Sequence, residues 1–142
     1  MPTTPYPAPH LIQFPKLGAP DIGYISVSDP RQNPLPFVVQ RVFWTYYTPE
    51  SIVRGRHAHH RTEQVLVAVA GRLTVITELA TGELETFRLE HPNEGLYVPP
   101  NAWHTIQHSH TAVQLVLASE AFEEADYIRD YDEFRQQWAP RS

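Results

Sequence analysis

The sequence predicts an all-β fold, a sandwich or barrel of antiparallel strands with a short helix at its C-terminal end. Short runs of β-branched and aromatic residues follow one another from Phe37 onward, roughly one every ten residues. Residues that favour turns separate those runs, as antiparallel strands joined by tight connections require. Only the last part of the chain changes to a helical spacing.

Four prolines among the first nine residues fix φ and withhold backbone donors, so residues 1–10 read as an N-terminal arm without chemistry of its own. "LIQF" (11–14) and "GYISVS" (23–28) add one or two strands, with "LGAPD" (17–21) and "SDPRQNPLP" (28–36) as loops. The main strands are expected in "FVVQRVFWTYY", "SIVRGRHAH", "EQVLVAVAG", "RLTVITEL", "ETFRLE", "GLYVPP", "WHTIQH" and "AVQLVLAS". Turns fall at "TPE" (48–50), Gly71, "ATGE" (80–83) and "HPNEG" (91–95). Tyr127, Tyr131, Phe134 and Trp138 are spaced four, three and four apart, which predicts one face of a helix packed on the barrel or on a second copy. Residues 11–138 are therefore expected to form a single domain, followed by a tail at 139–142.

Composition narrows the function. The 142 residues include no cysteine, which removes disulfides, thiolate metal sites and cysteine nucleophiles together. No apolar run approaches the ~18 residues of a membrane span, and the first residues carry no basic or apolar leader, so a soluble cytoplasmic protein with no membrane partner is expected. A net charge of −5 argues against nucleic acid, although clustered arginines can still hold one small anion.

The chemistry concentrates in "RGRHAHHRTEQ" (54–64). Side chains alternate along a strand, so His57 and His59 share a face about 6.5 to 7 Å apart while Ala58 points away. Burying two imidazoles is costly where aliphatic residues would pack better, which points to a functional pair. His60 and the isolated His10, His91 and His110 read as surface residues. Glu63 and Gln64 open the next strand, and the H-x-H-x3-E spacing brings a carboxylate back across a hairpin, to orient an imidazole or to share a metal with it.

This spacing resembles the first motif of the cupin superfamily, and "GLYVPPNAWH" (95–104) resembles the second, with Gly95, Pro99 and His104 at its glycine, proline and histidine. The resemblance implies a small antiparallel jelly-roll barrel enclosing the cluster. Asn101 stands where the second motif usually has glycine, and Gly71 falls one residue late after Glu63. In the generic cupin reading, His57, His59, Glu63 and His104 would bind manganese, iron, nickel or zinc.

A narrower resemblance covers roughly Leu35 to Phe134. The order "PFVVQRVFWTYY", "RGRHAH", "EQVLVAVAG", "GLYVPPNAWH", "VLAS", "ADYIRDYDEF" looks like that of the nucleotide-sugar 3,4-ketoisomerases, which act on dTDP-4-oxo-6-deoxyglucose and are related to the C-terminal part of WxcM-type proteins. It implies catalysis without metal or other cofactor, a dTDP-linked 4-oxo-6-deoxyhexose as substrate and a homodimer. It also implies acid/base roles for His57 and His59, with Arg41, Arg54, Gln64, Trp103 and His104 around the substrate. Moving a ketone from C4 to C3 needs a base near neutral pKa and a donor for the enediolate oxygen. His57 or His59 would take the C3 proton while the other shuttles between O3 and O4, and His104 or a tyrosine of "WTYYT" would face the oxyanion. Trp103 either stacks on the base or sugar or plugs the barrel end. Arg56 reads as a surface residue. "DIGYISVS" lacks the arginine of the family's D-x-R-G-x-L pattern, which leaves the C4 epimer and the substrate itself open. A metal-dependent cupin enzyme and a non-catalytic nucleotide-sugar binding module are the alternatives.

Overall fold

A computed structural model describes residues 6–137 and shows two five-stranded antiparallel sheets packed face to face, the jelly roll expected from the motifs. In chain order the strands are β1 (His10–Gln13), β2 (Leu17–Ala19), β3 (Gly23–Ile25), β4 (Arg41–Tyr46), β5 (Val53–His59), β6 (Gln64–Ala70), β7 (Leu73–Leu79), β8 (Leu84–Leu89), β9 (Glu94–Val98), β10 (Ala102–His108), β11 (Val113–Ala118) and β12 (Tyr127–Ile128). One sheet runs β1-β9-β6-β11-β4, the other β12-β5-β10-β7-β8, and β2 pairs with β3 in a separate ribbon. All eight main runs read from the sequence contain a strand.

Alternation decides which residues fill the barrel. Leu66, Leu73, Val75, Leu89, Leu96, Val98, Ile106 and Val116 turn inward from both sheets and are almost wholly buried. Each large aliphatic chain hidden this way contributes about 1.5–3 kcal/mol before its ordering cost. The opposite alternation places Val65, Val67, Tyr97 and Leu117 on the outer face of the first sheet, where Phe14 covers part of them.

Two elements differ from the sequence reading. Leu17–Ala19, expected as loop, is strand β2, because Gly18 lets β3 approach where a Cβ would lie 2.0 Å from the Gly23 carbonyl oxygen. The helix, α1, is confined to Tyr131–Arg135. Asp130 stays extended and its carboxylate accepts the Asp132 N–H at 2.9 Å, so it caps the helix and stops it from growing backward. Tyr127 therefore lies on β12, whose backbone pairs with the edge of β5, Tyr127 opposite His59 and Ile128 opposite Ala58. Trp138 lies outside the described residues. Among those described, no helix is long and apolar enough to cross a membrane.

Candidate active site

The imidazole pair stands where it does because β5 is bulged. His57 pairs with His104 of β10, and the next partners are Gly55 and Thr105, so Arg56 is an extra residue with a left-handed φ of 59°. Gly55, at φ 81°, permits the bend, since a Cβ there would sit 2.8 Å from the His104 carbonyl oxygen. The "GR" before "HAH" is thus a backbone requirement for turning His57 inward. Beyond the hairpin, Asn101 adopts φ 58° and its N–H donates to the His59 carbonyl at 2.8 Å. Asparagine tolerates this region better than other side-chain-bearing residues, which explains how it replaces the usual glycine.

Three imidazoles converge at this end of the barrel. The His57 ring centroid lies 4.7 Å from that of His104 and 5.0 Å from that of His59, and His59 and His104 are 6.0 Å apart. His57 Nδ1 lies 3.0 Å from the Gly55 carbonyl and His104 Nδ1 lies 3.0 Å from the Ala102 carbonyl. A carbonyl only accepts, so both Nδ1 atoms carry the proton and both Nε2 atoms present a lone pair. His59 is 2% exposed and its buried Nε2 has no hydrogen-bond partner among the described residues.

Burial keeps the cluster uncharged. Desolvation, then the neighbouring His104 and His59, lowers His57 from 6.5 to about 2. Desolvation, then His104 and Arg41, lowers His59 to about 3. Desolvation also lowers His104, against the hydrogen bond to Ala102. Three neutral imidazoles, at least two with a free Nε2, can accept protons and pass them between adjacent atoms.

Around them, Arg41, Ala118, Gln64 and Val98 form one register row across four strands. Gln64 is buried, and Arg41 has a buried Nε without a partner among the described residues and a guanidinium 5.2 and 5.6 Å from the ring centroids of Phe43 and Phe122. The remaining residues expected in the site are placed elsewhere. The Glu63 carboxylate accepts the Tyr97 hydroxyl at 2.7 Å, on the outer-face alternation, so the H-x-H-x3-E spacing does not return it to the imidazoles. With Glu63 turned to Tyr97 the four-ligand set is not assembled, and among the described residues no group of three His, Cys, Asp or Glu side chains has the arrangement to hold a metal ion. Arg54 is exposed opposite Ile106, and its charge bears on His108, four residues along β10 from His104. Trp103 packs outward on Tyr131 and Phe134, with ring centroids 5.3 and 5.7 Å away, and holds α1 in place. Tyr46 and Tyr47 are 55% and 86% exposed.

Tyr127, which its sequence spacing assigns to a packing face, joins the imidazoles instead. Its ring lies 4.5 Å from that of His59 and 5.1 Å from that of His57, forming a wall of the cluster, with the Arg129 guanidinium over the ring, 4.2 Å from its centroid. Its spacing with Tyr131 and Phe134 mimics a helical stripe. The alternative signal was Asp130, a residue that caps helices, three positions after it.

Comparison with known proteins shows the family and the fold of the chain. The family described as FdtA, WxcM-like, C-terminal, matches residues 8–139. A TDP-4-oxo-6-deoxy-alpha-D-glucose-3,4-oxoisomerase of Aneurinibacillus thermoaerophilus is 42% identical over 103 residues, covering 71% of this chain and 73% of that protein. The crystal structure of QdtA, a sugar 3,4-ketoisomerase from Thermoanaerobacterium thermosaccharolyticum in complex with TDP, is 31% identical, with a TM-score of 0.84 over 91% of this chain and 93% of the other. WlaRB, a TDP-quinovose 3,4-ketoisomerase of Campylobacter jejuni, is 31% identical, with a TM-score of 0.82 over 90% and 97%.

Proposed function

The chain belongs to the FdtA, WxcM-like C-terminal family, and from that premise we propose that it is a sugar 3,4-ketoisomerase converting TDP-4-oxo-6-deoxyglucose to a TDP-3-oxo-6-deoxyhexose. The observation that carries this reading is the convergence of His57, His59 and His104 as neutral imidazoles at one end of a barrel. Removing the C3 proton of a 4-oxo sugar needs a neutral base beside the sugar, and passing a proton between O3 and O4 needs a second group within reach. His57 and His59 supply both, and either can be the base.

The depressed basicity of the free site is consistent with this role. A nucleotide diphosphate and a developing enediolate both bring negative charge next to the imidazoles, which raises their proton affinity as the reaction proceeds. His104, its Nδ1 fixed on Ala102, faces the same space. Arg41 and Gln64 line the neighbouring row and hold the substrate in this reading, which the partial burial of Arg41 and its unpartnered Nε among the described residues support, the guanidinium being suited to the diphosphate. Arg54 and Trp103 contribute through the barrel edge and through the support of α1.

The protein acts as a homodimer in this reading. Val42, Trp44 and Tyr46 of β4 and Val69 of β6 leave exposed apolar side chains on the outer face of the first sheet, with Leu115 between the rows. A second copy covering that strip would remove it from water. Catalysis proceeds in the cytoplasm, within the domain spanning residues 11–138.

The reaction is tested by incubating EDTA-treated protein with TDP-4-oxo-6-deoxyglucose in deuterated water and following the sugar by NMR, beside the His59→Asn variant. A 3-oxo product in the wild type alone is expected, and its C4 configuration identifies the epimer. Absence of conversion with and without added divalent metal would overturn the assignment.

A further inference from the structure

We propose that Tyr127 is a catalytic hydrogen-bond donor of this site, its hydroxyl facing the sugar oxygen that becomes an oxyanion; the inference rests on the isomerase reading. The chemistry calls for such a donor, and the other tyrosines near these strands are placed away from the task. Tyr46 and Tyr47 are exposed, and the Tyr97 hydroxyl is spent on Glu63. Tyr127 instead lies against both imidazoles of the pair, and no hydrogen bond within the described residues occupies its hydroxyl.

Two features fit the ring for that role. The first is a cation: Arg129, held by hydrogen bonds of 2.6 and 3.0 Å to Glu124, places its guanidinium 4.2 Å from the Tyr127 ring centroid. A cation at that distance is attracted to the ring face and holds the ring in place against the imidazoles. The second is a rigid mount. The adjacent Asp126 is buried, and its carboxylate accepts the Arg61 N–H at 2.7 Å, the Thr62 N–H at 3.3 Å and the Thr62 hydroxyl. Its carbonyl accepts the His60 N–H at 2.8 Å. These bonds fix β12 to the hairpin that follows the imidazoles, so Tyr127 is positioned before substrate arrives.

In the step, an imidazole Nε2 removes the C3 proton. The C3–H electron pair becomes the C3=C4 bond, and the C4=O pair moves onto O4, where the Tyr127 O–H donates its hydrogen bond. The O3 proton is then relayed to O4 by the second imidazole as C3=O forms, and the first imidazole returns a proton to C4. No electron is gained or lost, and both imidazoles end as they began.

Tyr127→Phe keeps the ring and removes only the hydroxyl. The expected result is a kcat lower by about 100-fold, as for loss of one oxyanion donor, with the KM and the affinity for TDP alone within about threefold of wild type. A kcat within threefold of wild type overturns the proposal. A fall in kcat matched by an equal loss of TDP affinity also overturns it, because that signature belongs to packing. If the wild type itself does not convert the sugar, the isomerase reading fails and the proposal falls with it, an outcome distinguished by the wild-type control.

Discussion

Burying two imidazoles in neutral form has a measurable consequence for folding. His57 and His59 ionise at 6.5 in an ordinary setting, whereas the native site holds them at about 2 and about 3. Below pH 6.5 the unfolded chain therefore binds protons that the native chain refuses, and stability is lost as the pH falls; above pH 6.5 both states are neutral at these positions and nothing changes. At pH 5.5 an unfolded histidine is roughly nine-tenths protonated and the native one is not, which costs about 1.3 kcal/mol per residue relative to pH 7.5 and about 2.6 kcal/mol for the pair. The figure hardly depends on how far below 4.5 the native values lie, because a native group already neutral at pH 5.5 adds nothing further. His104 is shifted the same way and enlarges the wild-type loss. The comparison is between wild type and His57→Asn/His59→Asn, each unfolded in urea at pH 7.5 and pH 5.5 at one fixed protein concentration. Wild type should lose about 2.6 kcal/mol more than the double variant over that interval. Equal losses in the two proteins would show that the imidazoles are not held neutral by burial.

Two further outcomes follow from the placement of single aromatic residues. Trp103→Ala should lower stability by about 3 kcal/mol, the usual cost of truncating a large packed side chain, while TDP affinity measured by calorimetry at a temperature where the variant is folded stays within threefold. A selective loss of TDP binding with unchanged stability would mean that Trp103 stacks on the nucleotide. Trp44→Glu places a charge in the exposed apolar strip of β4 and should convert a dimer of wild type into a 16 kDa species in sedimentation at low micromolar concentration. An unchanged dimer would place the interface on another face.

The parts of the fold that were legible in the sequence are those where one physical rule acts alone. Alternating burial in β7 and β10 is written directly into "LTVIT" and "WHTIQH", because each strand has one face in the barrel, whereas the continuous apolar run "VLVAV" of β6 reflects burial on both faces. The imidazole pair is legible for the same reason, since His57 and His59 remain on one side of β5 after the bulge. Glu63 was misplaced because sequence spacing across a hairpin does not show which face the next strand presents. Gln64, one residue later, takes the inward position, and Glu63 turns to Tyr97. The same one-residue rule moves Trp103 outward while His104 turns in.

Tyr127 shows the opposite limit. A spacing of four to Tyr131 satisfies a helix, yet two backbone hydrogen-bonding groups at the edge of β5 and a buried carboxylate at Asp126 decide otherwise. The Asp126 carboxylate is filled from far away in sequence, by Arg61 and Thr62, more than sixty residues earlier. A local reading cannot see a contact of that span, and the contact is what turns an apparent packing residue into a wall of the imidazole site. The two halves of the site are therefore joined by one long-range anchor. β5 and β10 bring the imidazoles, and Asp126 returns the distant end of the chain to close over them. An active site assembled this way needs the C-terminal segment folded before its imidazoles are sheltered from water, which ties the low basicity of His57 and His59 to the docking of β12.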